Sequence, residues 1–474
     1  MIKNRAGFIK SYVKALREGN AAIFAGAGLS VGAGYVNWKG LLKDISMELE
    51  LDIDREEHDL VGLAQYYCNE KNSRGTINQI ILEEFKDNVE VTENHKILAR
   101  LPLGIFWTTN YDTLIEEALY NANKIVDVKI DEANLAITLP KRDAIVYKMH
   151  GDVSQVQKAI ITRDDYEKYS ETHTLFTTVL KGDLVSKTFL FIGFSFNDPN
   201  LNYILSRVRI GLEGNQRPHY CILKKVERKE FNDEESYLNA KTKQLLQIKD
   251  LKRYAINTLL IDDYSEITQI LKDIEYEFMK KNIFISGSAE EYGDFTKNEA
   301  ANFLHDLSNR LVRENFKVIS GFGLGVGSYI INGVLEYGEN NKKSNVDDML
   351  ILRPFPQKES GDIKLETLWQ KYREKMISQA GIAIFVFGNK KKNGALVNAD
   401  GLDKEFKIAK EKGLKIIPVG VTGYQSRLIY NEIIDNFEEY YPNKKELKPL
   451  FEEMLKIENK DSIVDIILEF ISKL

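Results

Sequence analysis

The feature that most constrains this chain is a repeated unit. A short run of Val, Ile, Phe and Leu, closed by Gly or Asn, is followed by an amphipathic helical stretch. Between Ala21 and Ser195 the runs are AAIFAGAG, LGIFWTTN, AIVYKMHG and TFLFIGFS. Strands that are apolar on both sides must be covered on both sides, which predicts a parallel sheet with helices on its faces. Helical stretches are expected over Phe8 to Glu18, Trp38 to Leu49, Asp112 to Ala122 and Asn200 to Leu212. HYCILKK and YAINTLLI read as two more strands around a charged helical insert, about Glu227 to Lys252, and a helix from Ser265 to Met279 closes the unit. At Asn282 the pattern restarts. NIFISGSAE, KVISGFGLGVGS, DMLILRPF, GIAIFVFGNK and LKIIPVG supply a second set of strands, with a helix over Glu299 to Glu314. A chain of 474 residues exceeds what one core supports. The expectation is therefore two α/β domains, 1–280 and 281–474, joined near Lys280.

Charge and composition narrow the functions open to such a fold. A net charge of −6 argues against nucleic acid as a partner, because phosphate backbones need a basic face. The one dense basic cluster, Lys390-Lys391-Lys392, reads as a solvated loop. The two cysteines, Cys68 and Cys221, cannot build a zinc cage and fit reduced thiols of a cytoplasmic protein. The charged segment MIKNRAGFIKSYVKALREGN lacks the apolar core of a signal peptide. No apolar run approaches the ~20 residues that span a bilayer, so no membrane association is expected.

Chemistry concentrates at the strand ends. Gly26-Ala27-Gly28 follows the first strand, where a missing Cβ lets backbone approach a pyrophosphate and a following helix aims its N–H groups at the anion. The spacing is GxG followed by Ser30, Gly32 and Gly34, not a full GxGxxG, and a tight strand–helix turn explains it equally well. In WTTNYD, Asn110 stands at the carboxyl end of a strand, where open α/β sheets bind ligands, and its amide offers a donor and an acceptor. Asp112 can cap the next helix. His150 ends IVYKMH beside Gly151, a placement suited to a base. His58, His95, His173, His219 and His305 lack this placement, and His95 reads as structural. In GFSFNDPNL, Ser195 lacks a nucleophile-elbow context and reads as a ribose or phosphate contact, while Asn197 or Asp198 caps the helix that Pro199 begins.

GAGLS, TTNYD, HG and GFS, in this order over about Gly19 to Tyr264, resemble the sirtuin catalytic domain, in particular its bacterial anti-phage branch with the GFSxxDPNL form. The resemblance implies an NAD site: Ala25, Gly26 and Ser30 at the pyrophosphate, Asn110 and Asp112 near the nicotinamide and its ribose, His150 as base, and Gly193 and Ser195 as further contacts. Protein-deacylating sirtuins carry a four-cysteine zinc module, and this chain has no CxxC. The acyl-lysine lobe is then absent or rebuilt, and water is the expected acceptor, giving nicotinamide and ADP-ribose without a metal.

The second domain has Gly/Ser turns at two strand ends, suited to cradling phosphate, but no histidine or paired carboxylate beside them. It reads as a binding site without chemistry and resembles the SLOG family of nucleotide-sensing Rossmann-like domains. The resemblance places Gly287, Ser288, Arg373, Lys390, Gly401 and Glu405 at a pocket for a cyclic ADP-ribose isomer. A sirtuin-like domain followed by SLOG resembles the NAD-hydrolysing effectors of Thoeris anti-phage defence. That implies an activator made by a TIR-domain partner protein, NAD depletion with abortive infection, and a homo-oligomer, a tetramer. Two other readings stay open: an NAD-dependent protein deacylase, which accounts for the first site only, and a non-catalytic nucleotide-binding scaffold, which leaves Asn110 and His150 unexplained.

Overall fold

The computed structural model describes residues 5–56, 59–86, 89–341, 345–359, 364–456 and 460–474, so His58 lies outside the described residues. The chain divides into two compact units, Met1–Glu275 and Tyr276–Leu474. Both are α/β, each around its own parallel sheet.

Among the described residues the first unit holds seven strands: β1 (Ala21–Ala25), β2 (Ile105–Thr108), β3 (Val126–Lys129), β4 (Ala144–Lys148), β5 (Thr188–Ile192), β6 (His219–Lys224) and β7 (Ile256–Ile261). Their order across the sheet is β3-β4-β2-β1-β5-β6-β7, and every neighbouring pair is parallel. β1 and β5 are buried along their whole length, as strands covered on both faces require. Six of the seven are legible as apolar runs. The seventh, β3, reads VDVK; its two charged side chains hide the pattern, yet they neutralise each other beneath the surface, Lys129 Nζ lying 2.7 Å from Asp127 Oδ1. Registration of β2 with β4 stacks Trp107 on Tyr147 at 4.3 Å between ring centroids, and the indole N–H donates to Asp183 at 2.8 Å. This aromatic pair locks the two strands that carry TTNYD and HG.

The connection that leaves β1 for β2 goes to one side of the sheet, and β5 lies on the other. β1 thus borders the topological switch point, the crevice where open α/β sheets bind ligands. Register sets the site's layout. Ala25 pairs with both Thr108 and Ile192, and Thr108 pairs with Lys148. Gly26, Asn110, His150 and Gly193 each lie one or two residues past that row, on one edge of the sheet.

The turn after β1 differs from the expectation of a helix pointing at an anion. It runs into two short 3₁₀ segments, Ala27–Leu29 and Val31–Ala33, and the first α-helical residues are Trp38–Leu41. Glycines at 32 and 34, the latter at φ 112°, disfavour a regular helix here. Much of the glycine requirement is instead backbone contact. The Gly26 N–H donates to Ile192 O at 2.9 Å and the Gly28 N–H to Gly193 O at 3.0 Å. A Cβ on Gly26 would lie 2.5 Å from Gly193 O, and one on Gly193, itself at φ 65°, would lie 2.3 Å from the Leu29 nitrogen.

The second unit has a five-stranded parallel sheet in the order β10-β9-β8-β11-β14, formed by β8 (Asn282–Ser288), β9 (Lys317–Ser320), β10 (Leu350–Leu352), β11 (Ile382–Phe387) and β14 (Lys415–Pro418). All five are the runs read from sequence. The basic cluster is not a free loop: β12 (Asn389–Lys392) pairs antiparallel with β13 (Ala395–Asn398) in a hairpin turned at Asn393-Gly394, both with positive φ. Again the central strand, β8, borders the switch point, with β11 on its far side.

Two predictions follow from this packing. Gly193→Ala forces a side chain into the Leu29–Gly28 backbone at a left-handed position, and should cost at least about 2 kcal/mol. Gly182→Ala, at an exposed position of the helix Thr174–Ser186 with nothing within 4 Å, should instead raise the thermal midpoint slightly. Paired thermal unfolding of the two variants checks the contrast.

The second prediction concerns acid. His219 is buried and its Nδ1 accepts the Phe189 N–H at 3.2 Å, which requires an unprotonated ring; burial lowers its pKa from 6.5 to about 4. The unfolded chain binds that proton more readily. The linked stability is therefore complete above 6.5 and is lost as pH falls from 6.5 to about 4. Denaturant unfolding should show stability falling below pH ~6.5, by up to ~1.4 kcal/mol per pH unit for each such histidine. His219→Gln, which still accepts the Phe189 amide, should remove one histidine's share of that slope.

Candidate functional site

Two of the four strand-end motifs, GAGLS and TTNYD, meet in one buried polar cluster. Asn110 donates through Nδ2 to Gly26 O at 3.2 Å and to Ser30 Oγ at 3.0 Å. Ser30 Oγ in turn donates to Asp112 Oδ2 at 2.7 Å, and Asp112 Oδ1 accepts the Leu114 N–H at 3.1 Å at the start of the helix Leu114–Asn121. Asp112 thus holds the helix start with one oxygen and Ser30 with the other. All three side chains are buried. The Asn110 acceptor, Oδ1, has no hydrogen-bond partner among the described residues. A buried amide oxygen left unpaired is costly, and it marks the place where a ligand donor or water fits.

His150 lies on the same edge, 2 % exposed. Its Nε2 stands 3.0 Å from Asp198 Oδ2, at ion-pair distance but off the line of a good hydrogen bond. Asp198 also caps the helix Pro199–Gly211 by accepting the Leu201 N–H at 2.7 Å, and accepts the Tyr166 hydroxyl at 3.1 Å. The Tyr166 ring meets the imidazole edge to face at 5.5 Å. Burial opposes the charge on Asp198, but His150, the Leu201 amide and the Tyr166 hydroxyl outweigh it and hold the carboxyl below its ordinary value. A carboxylate so placed orients an imidazole and stabilises it once it takes a proton. From sequence Asp198 is visible only as a helix cap. Its second role depends on a strand and a loop 48 residues apart in numbering meeting at the sheet edge.

The other residues divide. Ala25 is the buried last residue of β1, and Gly193 forms the floor against Gly26 and Gly28. Ser195 lies on an exposed stretch of its loop, and its recorded contact is through its carbonyl, which accepts the Gln247 side chain at 3.1 Å. Among the described contacts it reaches neither Asn110 nor His150. Cys68 and Cys221 are free thiols, and the described residues contain no cluster of His, Cys, Asp or Glu suited to a metal ion.

In the second unit the candidate residues other than Lys390 lie around the ends of β8 and β11. Arg373, buried on the helix Leu365–Ile377, faces Glu405 of the helix Asp400–Glu411, Nε to Oε1 at 3.4 Å, and lies over the Phe355 ring at 5.0 Å. Glu405 Oε2 accepts the Ser286 hydroxyl at 2.6 Å. Burial pushes the Glu405 carboxyl above its ordinary value, against the pull of Ser286 and Arg373. Gly401 sits where a Cβ would come within 3.3 Å of the Arg373 guanidinium, so a side chain there would crowd it. Gly287 is close-packed on Val386 and Val326, and Ser288 Oγ donates to Asn389 O at 3.1 Å. Lys390 is set apart, half-exposed and ion-paired with Asp400. Asn389, unnoticed in the sequence, is wholly buried; its Oδ1 accepts the Glu290 and Glu291 amides at 2.8 and 3.0 Å and its Nδ2 donates to Glu291 O at 2.7 Å. It pins the loop after β8 against β12.

The chain's relatives agree with this architecture. Residues 104–246 match the model of the SIR2-like domain, and residues 266–474 match that of the Sir2- and TIR-associating SLOG family. The chain is 51% identical over 470 residues to the NAD(+) hydrolase ThsA of Bacillus cereus (strain MSX-D12), covering 98% of this chain and 97% of that one. It is 48% identical to the NAD(+) hydrolase ThsA of Cytobacillus dafuensis, covering 95% and 93% of the two chains. Identity is also 48% to that of Acinetobacter baumannii (strain 532279), covering 98% and 97%. A SIR2-like unit with its polar cluster at the switch point, followed by a SLOG unit and matched end to end at this identity, means that the chain belongs to the NAD(+) hydrolase ThsA family.

Proposed function

We propose that this chain hydrolyses NAD+ to nicotinamide and ADP-ribose at the Asn110–His150 cluster, and that a cyclic ADP-ribose isomer bound in the second unit switches that activity on. The observation that carries the catalytic half is the pairing of an unsatisfied buried amide oxygen, Asn110 Oδ1, with an imidazole backed by a buried carboxylate on the same sheet edge. In the reaction the bond between the ribose C1′ and the nicotinamide nitrogen breaks, and its electron pair leaves with nicotinamide. Asn110 orients the nicotinamide ribose as positive charge develops at C1′. Water attacks that carbon and His150 accepts its proton, with Asp198 stabilising the imidazolium that forms. Gly26, Ser30 and Gly193 line the approach for the pyrophosphate, and no metal takes part.

The regulatory half rests on the second switch point. Arg373 is held between Glu405 and the Phe355 ring, so its guanidinium enters a phosphate contact already oriented. Lys390 is the second phosphate donor, Glu405 faces the ribose hydroxyls, and Gly287, Ser288 and Gly401 keep the backbone close to the ligand. The matching family's description as Sir2- and TIR-associating supports a TIR-domain protein as source of the signal. Activation then depletes NAD+ in the cytoplasm and aborts infection, with the chain working as a homo-oligomer, a tetramer.

Purified full-length protein incubated with NAD+, with and without cyclic ADP-ribose isomers, should release nicotinamide and ADP-ribose in equal amounts, faster with the matching isomer. Asn110→Ala and His150→Ala should each lose about 10²–10⁴-fold in turnover while remaining folded by circular dichroism. A folded variant with wild-type turnover removes that residue from the chemistry. Arg373→Ala should shift the activation curve to higher isomer concentration, by a coupling loss of about 1–3 kcal/mol, with unstimulated turnover unchanged. Superimposable activation curves would take Arg373 out of the pocket.

A further inference from the structure

We propose that Lys148 is a positioning residue whose buried ammonium ties the loop carrying Asn110 to the loop carrying His150 and so sets their separation; this rests on the hydrolase reading of that site. Lys148 is the last residue of β4, two before His150, and its side chain is 0% exposed. Its Nζ lies 2.5 Å from Asp152 Oδ2 and 3.2 Å from Glu116 Oε1. It also donates to the carbonyls of Tyr111, at 3.3 Å, and of Asp112. Tyr111 and Asp112 directly follow Asn110. Asp152 follows His150 by two residues, and its other oxygen accepts the Ser154 N–H at 2.8 Å. One ammonium thus holds backbone of the first loop and an anchored carboxylate of the second. A backbone bond, Val153 N–H to Tyr111 O at 3.0 Å, runs beside it, and Met149 N–H to Thr108 O at 2.8 Å joins the two segments just before the loops.

The chemistry of the group fits a joint rather than filler. An ammonium has three hydrogens and meets four oxygens here, so it has no spare donor and the oxygens' directions fix where it sits. An apolar side chain of the same length would fill the space and bind neither loop. Burial works against the charge on Lys148, but Glu116 and Asp152 outweigh it and keep the amine protonated. Asp152 pays its own desolvation and is still held low, chiefly by Lys148, whereas burial pushes Glu116 up toward its neutral form. The cluster's stability requires the two loops to stay in register. Asn110 and His150 have no direct hydrogen bond between them among the described contacts, so their spacing is inherited from such a link.

The test uses the full-length chain and nicotinamide release from NAD+, with unfolding midpoints measured on the same samples. Lys148→Met should lower kcat by at least about tenfold, since misplacing reacting groups by ~1 Å costs up to ~10²-fold. The KM for NAD+ should stay within about threefold, because the pyrophosphate contacts lie elsewhere. Glu116→Gln disturbs the same buried cluster but leaves Asp152 and both carbonyl bonds in place; its kcat should stay within about threefold of wild type even where its midpoint falls. Asp152→Asn weakens the arm to the His150 loop and should lower kcat several-fold with KM little changed, and it decides the question should Lys148→Met not fold. Wild-type kcat in folded Lys148→Met, or in Asp152→Asn when the methionine variant is insoluble, overturns the proposal. So do equal losses in all three variants that follow their midpoints, since that is loss of stability alone. A wild-type protein that releases no nicotinamide under any condition overturns the hydrolase reading and this inference with it.

Discussion

Backbone-to-backbone contact between the turn after β1 and the turn after β5 is the constraint on which the first site depends. Gly26 and Gly28 hydrogen-bond to Ile192 and Gly193, and a Cβ on any of the three glycines would strike the opposing chain. That contact closes the floor of the crevice at the switch point. It also brings Gly26 O and Ser30 within reach of Asn110, and starts the loop that delivers Asp198 to His150. A glycine-rich turn is usually credited to phosphate; here chain packing already requires two of its glycines.

Upon that floor the polar groups form two linked sets of opposite character. The Asn110–Ser30–Asp112 chain passes each donor to the next acceptor and leaves one acceptor, Asn110 Oδ1, unspent. The His150–Asp198–Tyr166 set gathers charge, with a carboxylate kept ionised beside a ring able to take a proton. One half is neutral and orienting, the other charged, and the two lie on one edge of the sheet. Burial makes both halves stringent, because an unpaired polar group there is expensive until ligand arrives.

The second unit repeats the logic of the first without its acid–base groups. Parallel strands end at a switch point, glycines keep backbones close, and one buried side chain, Asn389, fastens the loop after β8. In place of an imidazole stands Arg373, flanked by Glu405 and the Phe355 ring. A permanently charged donor with fixed orientation recognises anions and cannot move a proton at neutral pH. One fold class thus carries an imidazole–carboxylate pair in one unit and a guanidinium–carboxylate pair in the other, and the difference lies in the side chains near the strand ends.

The sequence by itself determined the class of both units and most of their strands, because burial on two faces forces continuous apolar runs that need no context to read. It also determined that Asn110, Asp112 and His150 sit at strand ends, since each stands directly after such a run. β3 escaped because its charges pair within the fold, and the lysine hairpin β12–β13 because turn chemistry at Asn393-Gly394 was outweighed by its charge. Only the tertiary structure decided which polar residues meet. Asp198 looked like a helix cap and is also the partner of His150; Lys148 looked like a strand residue and joins two loops; Ser195, in a motif of the same apparent standing, faces solvent. Strand identity is local, set by solvation of a few consecutive side chains. Side-chain partnership depends on strand order and register, here on β1 lying between β2 and β5, and neither is written in any single segment.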